Sequence, residues 1–376
     1  MIDGAALAIE DEIKAVEEEI AKTKYNKATS HHIGKLKAKL AAMRETQVRR
    51  QAASGGGGKG YAVQKSGHAS VSLVGFPSVG KSTLLNKLTN AKSETAAYEF
   101  TTLDVIPGLL EYRGADIQIL DMPGIIRGAA KGRGRGREVL SVARGVDLIL
   151  LLVDAFNPGQ FEALLEELWT ANIRVNAKPP NIQFVKSDRG GLVVNSTVKL
   201  THLDEPLVKD ICREFGLINA TVVLRQNATQ DDLIDALAGN RVYIPSILAV
   251  SKIDLVDEET RRETVERYAA KGWTVVPFSA EKGVGLDDLK EAIYGKLGFV
   301  QIFLKPPGRE ADLVEPLIVR AGATVGDVCD RLHREWRSKF RYAIVTGDSA
   351  KFKEQTVGLE HGLADGDVLT IVVKRG

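Results

Sequence analysis

The sequence has little of what marks a membrane or secreted protein. Its longest apolar run, Leu148 to Val153, is far shorter than the roughly 20 residues of a membrane-spanning helix. The opening residues, MIDGAALAIEDEIK, are acidic and lack the apolar stretch of a secretory signal. Only two cysteines, Cys212 and Cys329, occur, which is too few for a disulfide framework. We therefore expect a cytoplasmic protein without a membrane anchor.

The net charge is also small, because 51 basic residues almost balance 49 acidic ones. A balance of +2 requires neither nucleic acid nor a membrane as a partner. What is present is globular composition, with 44% hydrophobic residues over 376 positions, enough for two or three domains with a large buried core. The 36 glycines are informative through their positions rather than their number.

The first 54 residues predict a helical hairpin. Apolar residues recur at spacings of three and four on both sides of a polar break at 26–30, where Ser30 is placed to cap the second helix. The two stripes are Ile9, Ile13, Val16 and Ile20, and then Ile33, Leu36, Leu40 and Met43. The glycine-rich run SGGGGKG at 54–60 cannot pack a core, so we assign 55–68 to a linker.

From residue 69 onward, short apolar strands alternate with helical stretches. Strands are predicted at 71–74, 117–120, 148–153, 247–250 and 274–278, with helices such as 161–171 and 286–297 between them. This alternation predicts a mostly parallel sheet covered on both faces, formed by 69–175 and 241–298.

Two further segments interrupt or follow this sheet. The stretch 176–240 is too long for one crossover and has strand and helix patterns of its own, which predicts an inserted α+β subdomain. After Leu297, strand patterns at 301–304, 317–319, 342–345 and 368–373 accompany a helix at 325–336. We therefore expect a small mixed sheet holding one helix over 299–376.

The segment GFPSVGKS at 75–82 matches GxxxxGK[ST] between a strand and a helix, the context that a phosphate-binding loop requires. Its backbone N–H groups and the helix N-terminus would form an anion nest. Lys81 would reach the β- and γ-phosphates, and the Ser82 hydroxyl would ligate Mg²⁺. A chance glycine turn is the alternative, and the complete motif argues against it.

Two segments after this loop would complete the phosphate and metal site. Asp121 follows the 117–120 strand, where a carboxylate can hold a Mg²⁺ water, and Gly124 lets its N–H approach the γ-phosphate. The segment Phe100-Thr101-Thr102 offers a threonine to close the metal shell. A β-branched pair entering a strand is the alternative, and we favour the metal role.

Two tetrapeptides at strand ends predict recognition of a guanine base. SKID at 251–254 ends in Asp254, whose carboxylate can accept hydrogen bonds from both N1 and N2 of guanine. SAEK at 279–282 would add backbone contacts to the guanine O6. Each is unremarkable alone, but ligands of open α/β sheets bind at the carboxyl ends of strands, where both segments lie.

Together these motifs are similar to those of translation-factor-type GTPases, and the chain resembles the developmentally regulated GTP-binding protein family of the Obg group over nearly its full length. The resemblance rests on the glycine run 55–58 and on GFPSVGKSTLL (75–85), AAYEFTTLDVIPG (96–108), LDMPGII (120–126), KGRGRGREV (131–139), NAKPPNI (176–182) and DDLIDALAGNRVYIP (231–245). It implies an α/β P-loop GTPase domain with an N-terminal helical hairpin, an inserted ribosomal-S5-like α+β subdomain and a C-terminal β-grasp TGS domain.

The resemblance also implies GTP or GDP and Mg²⁺ as ligands. Catalytic roles would fall to Lys81, Thr102 and Gly124, and metal contacts to Ser82, Thr102 and Asp121. The nucleotide would meet Gly75, Pro77, Ser78, Val79, Gly80, Lys81, Ser82, Thr83, Phe100, Thr101, Thr102, Asp121, Gly124, Ser251, Lys252, Asp254, Ser279, Ala280 and Glu281, with Lys282 closing the last loop.

Three positions depart from the patterns of such GTPases. Ser251 stands where the family usually has asparagine, so guanine preference would depend more on Asp254. Ile125 stands where many small GTPases carry a water-orienting glutamine, a substitution that the Obg group shares. Ser78 stands where potassium-activated relatives carry asparagine, which leaves activation by K⁺ open.

Two functional hypotheses follow. One is a slow Mg²⁺-dependent GTPase that switches contact with ribosomes or RNA in translation, as a monomer, with or without the regulatory partner protein found in the family. The other is a nucleotide-binding scaffold with little hydrolysis. A basic, glycine-rich loop follows Gly124 and would be either an RNA contact or a solvated loop; its cations are Arg127, Lys131, Arg133, Arg135 and Arg137.

Overall fold

The computed structural model describes residues 4–24, 26, 29–54, 67–89, 106–122, 142–157 and 159–374. The predicted site residues Phe100, Thr101, Thr102 and Gly124 lie outside these ranges, as do Ile125 and the basic loop. The chain groups into two compact units, one comprising 1–60 with 177–243 and the other 61–176 with 244–376. None of the helices within the described ranges is long and apolar enough to cross a membrane.

The first unit contains the predicted hairpin, made of α1 (Gly4–Lys22) and α2 (Ser30–Ser54). The helices run antiparallel, because Glu19 near the end of α1 contacts His32 at 2.9 Å while Glu17 pairs with Arg44 further along α2 at 2.5 Å. The cap differs from the prediction. The Ile33 N–H bonds the Thr29 carbonyl oxygen, so Thr29 is the cap and Ser30 is the first helical residue.

The inserted segment forms a three-stranded sheet in the order β6-β8-β7, with β8 antiparallel to β6 and parallel to β7. Its elements are β6 (Ile182–Lys186), β7 (Leu192–Ser196), α5 (Glu205–Glu214), β8 (Ala220–Leu224) and α6 (Gln230–Ala238). Helix α2 packs on α5 and α6, where Lys37 pairs with Asp231 at 3.0 Å and the Gln230 side chain bonds the Ser30 carbonyl. The hairpin and the insertion therefore share one compact unit.

Burial of Cys212 on α5 leads to the first testable prediction. The side chain is fully buried, and loss of solvation raises the pKa of its thiol to about 12. At pH 8 only about 10⁻⁴ of the thiol would be ionised, so we expect Cys212 to resist iodoacetamide in the folded protein and to react after denaturation. Mass spectrometry of both samples measures this, and rapid labelling of native Cys212 would contradict the burial.

The second unit is built on a six-stranded sheet in the order β11-β10-β4-β1-β3-β2, parallel except for β2. Its strands are β1 (Ala69–Gly75), β2 (Ile106–Tyr112), β3 (Ala115–Asp121), β4 (Leu148–Asp154), β10 (Ser246–Ser251) and β11 (Val275–Pro277). The helices of this part of the chain are α3 (Lys81–Leu88), α4 (Gln160–Thr170), α7 (Glu258–Ala269) and α8 (Leu286–Leu297), of which α8 follows the last strand, β11. Short strands β5 (Ile173–Val175) and β9 (Val242–Ile244) flank the insertion.

The C-terminal segment forms a five-stranded mixed sheet in the order β13-β12-β16-β14-β15. Its elements are β12 (Phe299–Leu304), β13 (Leu317–Arg320), α9 (Val325–Leu332), α10 (Trp336–Lys339), β14 (Phe340–Thr346), β15 (Gln355–Val357) and β16 (Val368–Val373). The single helix predicted over 325–336 is wrong in its length. Helix α9 ends at Leu332 because His333 is extended, and α10 is a separate turn.

Candidate functional site

The predicted phosphate and base motifs converge at one edge of the six-stranded sheet. Strands β1, β3, β4 and β10 are parallel neighbours, and their carboxyl ends are Gly75, Asp121, Asp154 and Ser251. Open α/β sheets bind their ligands at this edge. The topology therefore brings together side chains that are far apart along the chain.

The loop from Gly75 to Gly80 is held in a shape that its sequence allows. A Cβ atom on Gly75 would lie 2.8 Å from the Leu152 carbonyl oxygen on the adjoining strand, so no larger residue fits. Gly80 has a φ of +98°, and Ser78 adopts a left-handed conformation at +62°. Gly80 precedes α3, and no side chain in the described residues caps that helix end. The backbone N–H groups in the first turn of α3 are therefore available to an anion.

Lys81 lies inside this loop rather than in solvent. Its ammonium donates hydrogen bonds to the carbonyl oxygens of Gly75 at 3.2 Å and Phe76 at 3.1 Å, and the residue is only 8% exposed. Burial lowers the pKa of this ammonium, while the nearby Asp121 carboxylate opposes the shift. A partly desolvated cation in an anion nest gains strongly from a phosphate ligand.

Ser82 and Asp121 form the group that would hold Mg²⁺. The Ser82 hydroxyl donates to Asp121 Oδ2 at 2.5 Å, and Asp121 is buried. Its other oxygen, Oδ1, is buried and has no hydrogen-bond partner among the residues described. Hydroxyl and carboxylate oxygens are the hard donors that Mg²⁺ takes, directly or through water. The residues present therefore fit the ion, with nucleotide phosphates supplying further ligands.

Ser251 connects the base-recognition segment to the phosphate loop. Its buried hydroxyl donates to the Val79 carbonyl oxygen at 2.8 Å and lies 3.3 Å from that of Val153. The Ser251 side chain thus fixes the position of the phosphate loop through the Val79 carbonyl. This contact joins residues 172 positions apart and was not predicted from the sequence, which assigned Ser251 to the nucleotide itself.

Removal of this contact should weaken nucleotide binding without unfolding the protein. We expect Ser251→Ala to raise the Kd for GDP by about fivefold, because one buried hydrogen bond is worth about 1 kcal/mol and its loss frees the Val79 carbonyl. Isothermal titration calorimetry measures the change. Ser338→Ala is the control, because the Glu335 carbonyl is the one partner of that exposed hydroxyl in the described part of the chain. Equal affinities for both variants and the parent would show that the contact does not position the loop.

The residues predicted to recognise guanine follow β10 and β11. Lys252 has a left-handed backbone with φ of +59° and begins a short 3₁₀ turn in which the Asp254 carboxylate is exposed. In the second loop, the Ser279 N–H donates to Val284 O at 2.9 Å and its hydroxyl accepts from the Lys282 N–H at 3.2 Å. The carboxylate is therefore accessible to a base, beside a tightly hydrogen-bonded loop.

Asp154 also lies at this sheet edge, although it was not assigned to the site from the sequence. It ends β4 opposite Ser251, is 8% exposed and accepts the Asn157 N–H at 2.9 Å. Its second oxygen lies 4.0 Å from the Lys252 ammonium. The available signal was its position as an acidic residue directly after the apolar run 148–153.

Comparisons with known proteins agree with this arrangement. The family described as a 50S ribosome-binding GTPase matches residues 70–186, the C-terminal region of the same domain matches 189–299, and the TGS domain matches 300–373. A GTP-binding protein of Methanocaldococcus jannaschii is 55% identical over 100% of this chain and 95% of its own length.

Two named relatives extend the similarity to eukaryotes. Developmentally-regulated G-protein 3 of Arabidopsis thaliana is 49% identical over 97% of this chain and 99% of its own. Developmentally-regulated GTP-binding protein 2 of Homo sapiens is 45% identical over 98% of this chain and 100% of its own. The predicted P-loop GTPase and TGS domains are thereby confirmed. The chain is a GTP-binding protein and belongs to the developmentally regulated GTP-binding protein family of GTPases.

Proposed function

We propose that this protein is a slow Mg²⁺-dependent GTPase whose nucleotide state controls contact with ribosomes or RNA. The observation that carries the proposal is the convergence of Lys81, Ser82 and Asp121 at the uncapped N-terminus of α3. The match to a family described as ribosome-binding supports the ribosome as partner.

The chain's own residues account for the chemistry of hydrolysis. Lys81 and the loop N–H groups would stabilise charge that develops on the γ-phosphate as water attacks in line. Mg²⁺, when bound, would neutralise charge on the β- and γ-phosphates. Ser82, Asp121 and Thr102 would hold the ion, and the Gly124 N–H would meet the γ-phosphate. Ile125 cannot orient water as glutamine does, so slow turnover is expected without a partner or cation.

The organisation proposed from the sequence has six segments. They are a hairpin (1–54), a linker (55–68), a GTPase domain in two parts (69–175 and 241–298), an S5-like insertion (176–240) and a TGS domain (299–376). We further propose a cytoplasmic monomer that takes a family-type regulatory partner protein. We also propose activation by K⁺, with Ser78 at the position where potassium-activated relatives carry the cation-binding asparagine.

Hydrolysis under four conditions tests the proposal. Phosphate release is measured in K⁺ or in Na⁺, each with and without ribosomes. We expect slow release in Na⁺ alone and stimulation by K⁺, ribosomes or both. Equal slow rates in all four conditions would contradict the switch and leave the nucleotide-binding scaffold.

A further inference from the structure

The inserted subdomain exposes one whole face of its three-stranded sheet. The other face is buried, because Phe184, Val222 and Leu224 pack with the apolar sides of α5 and α6. On the exposed face, Val185 and Val193 are 50% and 48% accessible and flank Thr221 in register. We call this surface, made of Gln183, Val185, Val193, Asn195, Thr221, Val223 and Arg225, the open face.

Charge is divided between the two layers of the subdomain. The segments that form the sheet and its connections, 177–203 and 217–229, contain five basic residues and one acidic residue. The basic residues are Lys178, Lys186, Arg189, Lys199 and Arg225. Helices α5 and α6 show the reverse, with six acidic residues and two basic ones. A neutral average over the chain thus conceals a basic sheet layer.

The cations of the two layers also differ in their partners. In the helical layer, Lys209 pairs with Glu205 at 2.6 Å and Arg213 with Asp210 at 2.9 Å. The five basic side chains of the sheet layer are exposed, and none of them pairs with an acid in the part of the chain that the structure describes. Arg225 instead reaches across the open face to the Gln183 side-chain oxygen at 3.0 Å. These charges are therefore available to an anionic partner.

The remaining side chains of the open face indicate which anion fits. Gln183, Asn195 and Thr221 offer hydrogen bonds, while the valines offer small apolar contacts. The described strands place no aromatic ring on this face, so it lacks the aromatic platform on which unpaired bases stack. Double-helical RNA presents phosphates and 2′-hydroxyls across a wide, shallow minor groove, which a flat polar surface can follow. Three strands of five residues cover about 10 by 17 Å, a suitable footprint for such a groove.

Arg225 lies on the open face, and Arg189 lies in the loop that joins β6 to β7. We infer that the open face binds the backbone of double-helical RNA, with Arg225 and the loop residue Arg189 contacting phosphates. The inference rests on the proposed ribosome or RNA function and gives it a surface distinct from the nucleotide site. An acidic protein segment is the competing partner for the basic sheet layer. The two differ in that RNA binding depends on salt through release of counterions from each phosphate contact.

The test uses the full chain and a labelled RNA duplex of about 20 base pairs, somewhat longer than the span of a typical duplex-binding domain. We expect Arg189→Ala/Arg225→Ala to weaken duplex binding about tenfold and to lower the slope of log K against log salt by about 2. Lys209→Ala/Arg213→Ala removes the same charge from the helical layer and should leave both values unchanged. Both variants should bind GDP normally, which verifies folding.

Two outcomes separate this inference from the proposed function. If duplex affinity is the same in both variants and the parent, the inference is overturned, even if the first variant loses ribosome binding, since the face would then contact protein. The other outcome is that the first variant loses duplex binding while the parent binds ribosomes equally in its GTP and GDP states. That result would support RNA binding by the open face and contradict the nucleotide-controlled switch.

Discussion

Replacement of Lys81 with alanine is expected to abolish measurable GTP hydrolysis and to weaken GTP binding by about 100-fold or more. The ammonium is buried in the phosphate loop, bonded only to the Gly75 and Phe76 carbonyl oxygens in the described structure. A phosphate ligand would gain charge-assisted hydrogen bonds worth about 1.5–3 kcal/mol each, and alanine can make none of them.

Lys87→Ala is the matched control, because it removes an exposed lysine from the same helix. Calorimetric titration with GTP and a phosphate-release assay measure binding and turnover, and circular dichroism verifies that both variants fold. Retention of turnover by a folded Lys81→Ala protein would show that this loop is not the catalytic phosphate site.

Asp254→Asn should change which base the protein prefers. The exposed carboxylate would accept hydrogen bonds from guanine N1 and N2, and the amide offers one acceptor and a mismatched donor. Loss of one charge-assisted bond, together with the opposed donors, is expected to weaken GTP binding by about 100-fold. Xanthine carries an oxygen at the position of the guanine amino group, so xanthosine triphosphate should bind the variant better than it binds the parent.

Competition of GTP, ATP and xanthosine triphosphate for a fluorescent nucleotide provides the measurement. Asp288→Asn on α8 is the control, since it neutralises an exposed carboxylate outside the site. An unchanged order of preference in the Asp254→Asn protein would refute recognition of the base by this residue. A parent protein that prefers ATP would do the same.

The sequence predicted most of the large elements because their apolar periodicity is strong. It missed β2, since Pro107 and Gly108 interrupt the strand pattern, yet an edge strand tolerates both. It also joined α9 to α10 across His333, because the apolar pattern continues to Trp336 while the backbone does not.

The site could be predicted only where its residues form local motifs. The phosphate loop and the SKID segment are continuous in sequence, and their order along the chain implied convergence at one sheet edge. The bond from Ser251 to the Val79 carbonyl and the approach of Asp154 to Lys252 depend on strand order. Neither contact has a local sequence signal. The open face was missed for the same reason, because its residues form one surface only when three strands align.

Co-sedimentation with ribosomes tests the central claim most directly. The full chain is centrifuged with ribosomes in the presence of a non-hydrolysable GTP analogue or of GDP. Lys81→Ala is the control, because this variant is expected to bind GTP weakly. We expect the parent protein to pellet with ribosomes when the GTP analogue is present and to stay largely in the supernatant with GDP. Equal co-sedimentation in both nucleotide states would contradict it.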